Sequence, residues 1–449
     1  MAYRSFESRS AQVIAASAIG LLALVLRLLY SNQATVEAPI SGDANQYVAY
    51  AMNLLHHATF SNAIPGSGAP VLPDAYRGPG YPALLYLALW TGEAGGSWYP
   101  LVLKAQAVLG AASAVLALLI GRRFLPAPLA LLAALIVAVW PHLISINGYL
   151  LSETLFGFVL LLSLYLSCLA LEQPRTGSSV MAGVASGLTC LVNPIYLLFP
   201  WLVAALLVLR KDRKRGLLFL VAAMALPLAW SIRNSSIPDR PEQTSRIVQN
   251  LVQGSWPLYH AAYMSRDVDP MPRQILAEIG QEERAFARDP VAGLRSMQQR
   301  FATRPWDYLG WYVQDKVYLL WDWDIRIGQG DIYIIHTENS PFETSPIWHA
   351  GKNALRWLNP GFFWASLLFS IGTLVVSIRR PDRSNPSALL LALFFLYVTG
   401  LHMVLQAEPR YSIPYRPVEI LLAFAFIAAA GKFRCPWQPS RMRTWKNKS

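Results

Sequence analysis

The chain has 449 residues, of which 54% are hydrophobic and only 14% are charged, and its mean hydropathy is +0.33. A soluble domain carries roughly 25% charged residues, so about half of the usual solvating charge is missing. This composition excludes a disordered chain, a nucleic-acid-binding module and an ordinary cytosolic enzyme. Three cysteines lie far apart in the sequence and indicate neither a zinc site nor a disulfide framework. The sequence predicts an all-α polytopic membrane protein.

A membrane-spanning helix needs about 20 mostly apolar residues. Ten runs approach this requirement and predict about ten spans: 11–30, 99–120, 126–146, 152–171, 178–193, 195–209, 216–232, 358–378, 386–405 and 412–430. The fifth and sixth runs are short and are separated by Asn193-Pro194, so they can form a broken pair. The apolar core of the first run is too long for a signal peptide, and we interpret it as an anchor.

The net charge of +12 is explained by topology. Lysine and arginine concentrate in cytoplasmic loops. With the N-terminus inside, half of the 38 basic residues fall in cytoplasmic segments, most densely at 210–215, at 379–383 and after Gly431. The pattern predicts a multi-pass membrane protein with both termini in the cytoplasm. Two long segments, 31–98 and 233–357, then lie outside.

This topology divides the chain into four parts: an N-terminal membrane core at 1–232 that includes an outer catalytic loop at 31–98, an extracytoplasmic segment at 233–357, C-terminal membrane helices at 358–430, and a basic cytoplasmic tail at 431–449. Within the outer segment, residues 291–325 have helical periodicity. Gln314, Asp315 and Lys316 interrupt that run, which favours helices that lie at the membrane interface over helices that cross it.

The first polar motif on the outer side is Ser41-Gly42-Asp43-Ala44-Asn45-Gln46-Tyr47. Asp43 followed three residues later by Gln46 fits a capping box, so a helix N-cap is one interpretation. The other is a general base, because a carboxylate at this position faces an outer cleft.

The second motif is the turn Arg77-Gly78-Pro79-Gly80-Tyr81-Pro82. Its prolines and glycines predict a tight turn that ends at an apolar run. Arg77 can extend to lipid phosphates at the membrane surface. Alternatively, the rigid turn can aim the guanidinium, whose forked donors suit phosphate, into a binding site.

Three further motifs lie at the outer ends of predicted spans. Glu153 opens the fourth span, Arg233 and Asn234 follow the seventh, and Glu408-Pro409-Arg410-Tyr411 precedes the last. Each can be an interfacial anchor or a complement to a helix dipole. Under one topology, however, all the carboxylates and arginines of these motifs share one face. Such a set suits chemistry on a phosphorylated, hydroxyl-bearing substrate at the membrane surface.

Two aspartate pairs match the Asp-x-Asp pattern by which many sugar-nucleotide transferases hold a metal, Asp267 with Asp269 and Asp322 with Asp324. Both pairs lie on the predicted outer side, where nucleotide sugars are not normally supplied. We interpret them as solvated loop charges.

The motifs together resemble those of the GT-C membrane glycosyltransferases. The shared features are an Asp in the first outer loop, an Arg-x-Pro-x-x-Pro turn, Ser-Glu at the fourth span, Ile-Arg-Asn after the seventh, and Glu-Pro-Arg-Tyr-x-x-Pro before the last. The sequence is similar, more narrowly, to bacterial relatives of protein O-mannosyltransferases and of the lipid A aminoarabinose transferase. The resemblance covers residues 1–430, but this chain lacks the large soluble C-terminal domain of better-known members.

The resemblance implies an inverting transfer of a sugar from a polyprenyl-phosphate carrier to a glycan, lipid or protein acceptor on the extracytoplasmic side. Asp43 would be the catalytic base. Residues expected to bind the substrate or donor are Arg77, Tyr81, Glu153, Arg233, Asn234, Glu408, Arg410 and Tyr411. No metal is required, since arginines can serve as the cationic clamp, although a divalent ion is compatible with the set.

A transporter or flippase of a lipid-linked sugar is the alternative. Transporters tend to carry polar sites near the middle of the bilayer, on discontinuous helices and often within inverted repeats. Here the ionisable residues gather at one face and the sequence contains no repeat. Only Asn193-Pro194 indicates a broken helix.

Overall fold

A computed structural model describes residues 9–92, 96–238 and 245–431. The N-terminal half contains α1 (Arg9–Gln33), β1 (Thr35–Val36), α2 (Asp43–His57), α3 (Gly80–Gly92), α4 (Trp98–Gly121), α5 (Ala127–Val139), α6 (Pro141–Ser145), α7 (Glu153–Glu172), α8 (Thr176–Val192), α9 (Phe199–Leu209) and α10 (Arg213–Ser235). Short 3₁₀ turns at Ile146–Gly148 and Pro194–Tyr196 link α6 to α7 and α8 to α9.

The C-terminal half contains α11 (Arg246–Gly254), α12 (Tyr259–Ser265), α13 (Pro270–Arg288), α14 (Pro290–Thr303), α15 (Pro305–Gly310), α16 (Lys316–Trp321), β2 (Thr337–Glu338), α17 (Pro341–Thr344), α18 (Pro346–Arg379), α19 (Pro386–Val404), α20 (Pro409–Ser412) and α21 (Arg416–Ala430). The two strands pair antiparallel, with Thr35 opposite Glu338. The described chain is therefore almost entirely helical.

Within the described ranges, seven helical segments are long and apolar enough to cross a membrane. The pair α5 and α6, bent by 54° at Trp140, makes an eighth if it is one span. The helices α8 and α9 are apolar but shorter than a bilayer requires. Each predicted run thus corresponds to an apolar helix or a bent pair, and the all-α polytopic fold is confirmed.

The predicted break between the fifth and sixth runs has a local cause. The Asn193 side chain accepts a hydrogen bond from the backbone N–H of Ile195. Proline at the next position has no N–H with which to continue the helical pattern. The chain therefore leaves α8, makes a 3₁₀ turn and restarts as α9, so the pair enters and leaves the same end of the bundle.

The bundle core is packed closely through small residues, most visibly where α8 crosses α10. A Cβ atom at Gly183 would lie 2.4 Å from the carbonyl oxygen of Phe219, and one at Gly187 would lie 2.9 Å from that of Ala223. Only glycine allows backbones to approach this far.

Basic residues are held at the end of the bundle where α4 ends and α10 begins. Arg123 pairs with Glu172, and the Asn385 amide donates to the carbonyl of Arg123 at 3.1 Å. Arg215 donates to the carbonyl of Ala170 at 2.8 Å. This is the end predicted to face the cytoplasm, and that orientation stays a prediction.

The helices between α10 and α18 form a small core of their own, centred on Val252, Ile279 and Phe286. The helices predicted over 291–325 are present as α14, α15 and α16, with a π-helical turn at Trp311–Asp315. Lys316 is buried rather than exposed at an interface, and its ammonium donates to the carbonyls of Gly254, at 3.0 Å, and of Val404, at 3.3 Å. This lysine therefore attaches the outer helices to the bundle.

Candidate active site

A cleft with an accessible volume of about 150 Å³ opens at the end of the bundle where α7 begins and α8 ends. Its walls come from segments far apart in the sequence: the start of α2, the turn at 76–78, the start of α7, the break at 192–195, α11 and the stretch 402–415. The candidate site is therefore assembled by the tertiary fold and not by any single motif.

Asp43 lies at the first position of α2, and its side chain makes no capping hydrogen bond. Its carboxylate instead binds two arginines, Arg77 through Oδ1 and Arg410 through Oδ2, the latter at 3.0 Å. Gln46, the other half of the supposed capping box, accepts a hydrogen bond from Nε of Arg77 at 2.8 Å. The N-cap interpretation is wrong, because both side chains are used across the cleft.

Arg77 is fixed by the turn that carries it. A Cβ atom at Gly78 would lie 2.6 Å from the carbonyl oxygen of Leu191, so the turn packs directly on the end of α8. The guanidinium lies 4.9 Å from the centre of the Tyr47 ring, and the residue is only 8% exposed. Arg77 therefore faces the cleft and does not extend to lipid phosphates.

Arg410 joins the two carboxylates of the cleft. Its Nε donates to Oε1 of Glu153, while its Nη2 contacts Asp43. The proline at position 409 starts the short helix α20, and the carboxylate of Glu408 accepts the backbone N–H of Arg410. The motif that was singled out in the sequence thus places the guanidinium between Asp43 and Glu153.

Positive charge exceeds negative charge in the cleft. A third arginine, Arg246 of α11, lines it, and its Nη1 donates to the Tyr76 hydroxyl at 3.3 Å. Burial alone would raise the pKa of the Asp43 carboxyl, but the charges of Arg77, Arg410 and Arg246 outweigh burial and hold that pKa well below its usual range. Three guanidiniums therefore face two carboxylates, and the surplus charge suits an anionic ligand.

Tyr411 completes the wall opposite α2. Its ring stacks on that of His402 with 5.7 Å between the ring centres, and its hydroxyl donates to the side-chain oxygen of Gln406 at 3.2 Å. Tyr411, His402 and Gln406 all line the cleft. This wall offers aromatic faces and amide groups beside the arginines.

Four of the residues predicted to bind the substrate do not line the cleft in the described structure. The Tyr81 hydroxyl donates to Gln106 at 2.9 Å in the buried core. Arg233 stacks on Trp230 at 4.8 Å and donates to backbone carbonyls of the loop between α2 and α3, while Asn234 accepts from Arg233 at 3.0 Å.

Glu408 is the fourth. It is buried, and besides the N–H of Arg410 it accepts the backbone N–H groups of Arg326, at 2.7 Å, and Ile327, at 3.1 Å. Oε1 therefore fastens a loop of the outer segment behind the cleft wall, and Oε2 accepts the N–H at the start of α20, so both oxygens are bound to backbone groups.

The sequence did not single out Arg246, Asn250, His402 or Gln406, although all four line the cleft. Arg246 and Asn250 lie in a polar outer segment where charged residues are common, so no pattern distinguishes them. His402 and Gln406 are spaced as neighbours on a helix face at the outer end of the ninth predicted run, and that spacing was the available signal.

The two aspartate pairs lie outside the cleft. Asp269 caps α13, and Asp267 lies 3.7 Å from Arg266. Asp322 pairs with Arg326 and Asp324 with Arg356. Within the described ranges, one group of side chains has metal-ligand geometry, with ligand atoms within 4.8 Å of one another: the exposed set Glu37, His336 and Glu338 on the two-stranded sheet. None of these three lines the cleft.

None of the protein-family models and none of the curated proteins compared matches this sequence. Among solved structures, the archaeal oligosaccharyltransferase AglB from Archaeoglobus fulgidus, in complex with an inhibitory peptide and a dolichol-phosphate, aligns with 95% of this chain at 16% identity and a TM-score of 0.52. The same enzyme in complex with Zn and sulfate aligns with 93% at 15% identity and a TM-score of 0.50. ArnT from Cupriavidus metallidurans, bound to undecaprenyl phosphate, aligns with 94% of this chain and 79% of its own at 13% identity, with a TM-score of 0.37.

The chain spans about half the length of the archaeal enzyme, 51% in the first of these alignments. At this identity the likeness concerns the fold. The chain shares its overall fold with the membrane-embedded part of the archaeal oligosaccharyltransferase to which it aligns.

Proposed function

We propose that this chain is an inverting glycosyltransferase that moves a sugar from a polyprenyl-phosphate carrier to an acceptor at the extracytoplasmic face of the bacterial inner membrane. The observation that carries this proposal is Asp43, whose two carboxylate oxygens bind Arg77 and Arg410 in a cleft with surplus positive charge. The fold supports it, since the archaeal neighbour was solved with a dolichol-phosphate.

The chemistry of such a transfer fits the residues of the cleft. The acceptor oxygen forms a bond to the anomeric carbon of the sugar while the bond from that carbon to the carrier phosphate breaks. The electron pair leaves with the phosphate, so no general acid is needed. Arg77, Arg410 and Arg246 can stabilise the negative charge that develops on the phosphate, and the acceptor proton passes to a base.

Asp43 is the base in this proposal, and donor binding is what activates it. Its arginine partners favour the ionised carboxylate, which makes it a weak proton acceptor. A carrier phosphate that binds the same guanidiniums competes for their charge. The pKa of Asp43 then rises toward the range in which a carboxylate can take a proton.

Glu153 has a different role in the proposal, because its contact is with an arginine. Its Oε1 accepts from Nε of Arg410, and this leaves the Nη atoms of Arg410 directed toward Asp43 and the cleft. A bidentate guanidinium needs a fixed plane to bind phosphate well. Glu153 is therefore a positioning residue for Arg410.

No divalent ion is needed for these steps. Both oxygens of Asp43 bind arginines, as does one oxygen of Glu153, so the cationic clamp is already supplied by the chain. The acceptor class, whether glycan, lipid or protein, is set by parts of the cleft that the bound donor leaves open.

The test is replacement of Asp43 by Asn, which keeps the shape of the side chain but cannot accept the proton. A strain that lacks the gene should accumulate a polyprenyl-phosphate sugar and lose a sugar from an envelope glycan, both measured by mass spectrometry. Membranes with the Asp43→Asn variant should transfer that sugar roughly 10²–10⁴-fold more slowly, while binding of a photoreactive polyprenyl phosphate persists.

The matched control is Asn234→Ala, a predicted site residue that the structure places outside the cleft. It should transfer at the wild-type rate. Near-normal transfer by folded Asp43→Asn would contradict the proposed base and direct attention to Glu153. A deletion strain with unchanged lipid-linked sugars and glycans would contradict the function itself.

A further inference from the structure

Arg27 lies within the first candidate membrane span and is only 1% exposed. Its Nη1 donates to the carbonyls of Ala23, at 3.0 Å, and Ala138, at 3.1 Å, but its Nε has no partner. A charge inside a membrane helix is energetically costly, so such a residue usually has a partner of opposite charge. Carbonyl groups alone do not balance this guanidinium.

A second, much smaller cavity lies behind the cleft and has Arg27 in its wall; its volume of about 20 Å³ is enough for about one water molecule. Four buried polar atoms without a hydrogen-bond partner belong to residues that line it: Nε of Arg27, Oδ1 of Asn147, Oε2 of Glu153 and Oγ1 of Thr154. Buried polar atoms are rarely left unpaired, since each unpaired atom loses its hydrogen bonds to water without replacement. The set combines a donor, two acceptors and a hydroxyl, which is the environment that holds internal water.

Glu153 separates this cavity from the cleft. Its Oε1 accepts from Arg410 on the cleft side, while Oε2 is the atom without a partner, and the residue lines both spaces. It is also the one acidic residue in the wall of the inner cavity. The carboxylate that orients Arg410 therefore has its second oxygen in the space that Arg27 enters.

The backbone makes room for this arrangement at Gly110. A Cβ atom there would lie 2.4 Å from Nε of Arg27 and 2.8 Å from Oδ1 of Asn147. Any larger residue would push these two groups out of their positions. The two unpaired atoms accordingly lie beside the same glycine and face the same space.

We infer that Arg27 is a positioning residue that acts through water in the inner cavity to balance the charge of Glu153 and to fix its carboxylate behind Arg410. The charges then alternate from Arg27 through Glu153 and Arg410 to Asp43 and Arg77. Glu153 keeps its negative charge and its orientation even when a carrier phosphate draws Arg410 forward. The catalytic part of this inference rests on the proposed function, whereas the pairing of Arg27 with Glu153 does not.

The pairing is tested by a double-mutant cycle of thermal stability in detergent, with Arg27→Met, Glu153→Gln and the double variant. Each single change leaves one charge buried without its partner, so each should lower the unfolding temperature. The double variant should recover most of the loss, because the two effects of coupled residues are not additive. Losses that simply add would overturn the pairing.

If Arg27→Met alone does not fold, the double variant still decides. Its recovery as a folded protein supports the pairing, and its failure to fold overturns it. The control is Ser113→Ala, which removes a hydroxyl from the same cavity wall that already has a partner, the carbonyl of Leu109 at 2.9 Å. That variant should match the wild type.

The positioning role is tested by transfer kinetics with the lipid donor that the deletion strain accumulates. Arg27→Met should lower kcat/KM about tenfold, mainly by raising the KM for the donor, and Arg27→Lys should restore most of it. In the Glu153→Gln background Arg27→Met should cause no further loss. A full tenfold loss in that background would overturn the role, whereas a wild type without transfer would overturn only the proposed function.

Discussion

Two arginines on the last membrane segment have opposite surroundings. Arg410 contacts Asp43 and Glu153 at the wall of an open cleft, together with two further arginines nearby. Arg416 pairs with Glu419 at 2.9 Å in the core, where the side chains are 1% and 0% exposed. Its Nη2 donates to the carbonyl of Asp322, and its guanidinium lies 5.6 Å from the ring of Trp321.

The difference separates a charge used for binding from one used for folding. Around Arg416 each charge is balanced by one partner and enclosed by aromatic rings and amides. Around Arg410 the cations outnumber the carboxylates, and Asp43 is 26% exposed. We therefore expect substitutions in the enclosed, neutral pair to lower the stability of the fold. Substitutions in the open set with surplus charge should instead lower activity.

The largest expected effect is on the enclosed pair. Arg416→Leu leaves the Glu419 carboxylate buried without a partner, and breaking a buried pair in this way costs about 3–5 kcal/mol. Thermal unfolding in detergent should show that loss, while transfer per folded molecule stays at the wild-type level. The Arg416→Leu/Glu419→Leu variant should regain most of the stability. If the single variant instead has the unfolding temperature of the wild type, the Arg416–Glu419 pair does not stabilise this region.

The next largest effect is expected for the charged residues of the cleft around Arg410. Arg410→Lys keeps the charge but loses the bidentate fork that phosphate and Glu153 use. Transfer at limiting lipid donor should fall roughly 10²-fold, the size expected for loss of one oriented donor to developing charge, with unfolding nearly unchanged. Arg233→Lys, at an arginine that stacks on Trp230 outside the cleft, is the matched control. Equal rates for both variants would mean that the cleft does not use the guanidinium geometry.

The smallest expected effect is that of a chelator. Since arginines occupy the oxygens of Asp43, transfer should be unchanged in excess EDTA, measured in the same membranes. Abolition by EDTA with rescue by a divalent ion would show that Asp43 exchanges its arginine partners for metal, and the cleft would then belong with metal-dependent sites.

The fold was predictable because apolar runs and the positions of basic residues follow from the cost of placing polar groups in lipid. The bends and lengths of individual helices were less predictable. The bend at Trp140 and the short lengths of α8 and α9 depend on packing against neighbouring helices. The helix break at Asn193-Pro194 was visible because proline chemistry is local.

The candidate site was predictable only in part, and the residues show why. Asp43, Arg77, Glu153, Arg410 and Tyr411 all line the cleft. Glu408 belongs to the same motif as Arg410, yet its carboxylate fastens backbone N–H groups behind the wall. Sequence spacing placed both residues at one membrane face, but which side chain points into the cleft depends on the short helix α20 and on the outer segment.

No sequence pattern marks Arg27 or Arg246 as a site residue, and the reasons are opposite. Arg27 is a single charge in the interior of an apolar run, and one charge does not change the prediction that the run spans the membrane. Arg246 is one of many charges in a polar segment, where nothing marks it. Both become significant only when the tertiary fold places a carboxylate or a cleft beside them.

The glycines of the arginine-bearing turn fix how closely the walls of the cleft are packed. A Cβ atom at Gly80 would lie 2.6 Å from the side chain of Val192, just as one at Gly78 would meet Leu191. The turn and the end of α8 are thus packed directly on each other. The wall that carries Arg246 is packed as closely, since a Cβ atom at Gly254, the last residue of α11, would lie 2.6 Å from the backbone nitrogen of Gln406. A larger residue at Gly78, Gly80 or Gly254 would therefore have to displace backbone in the cleft wall.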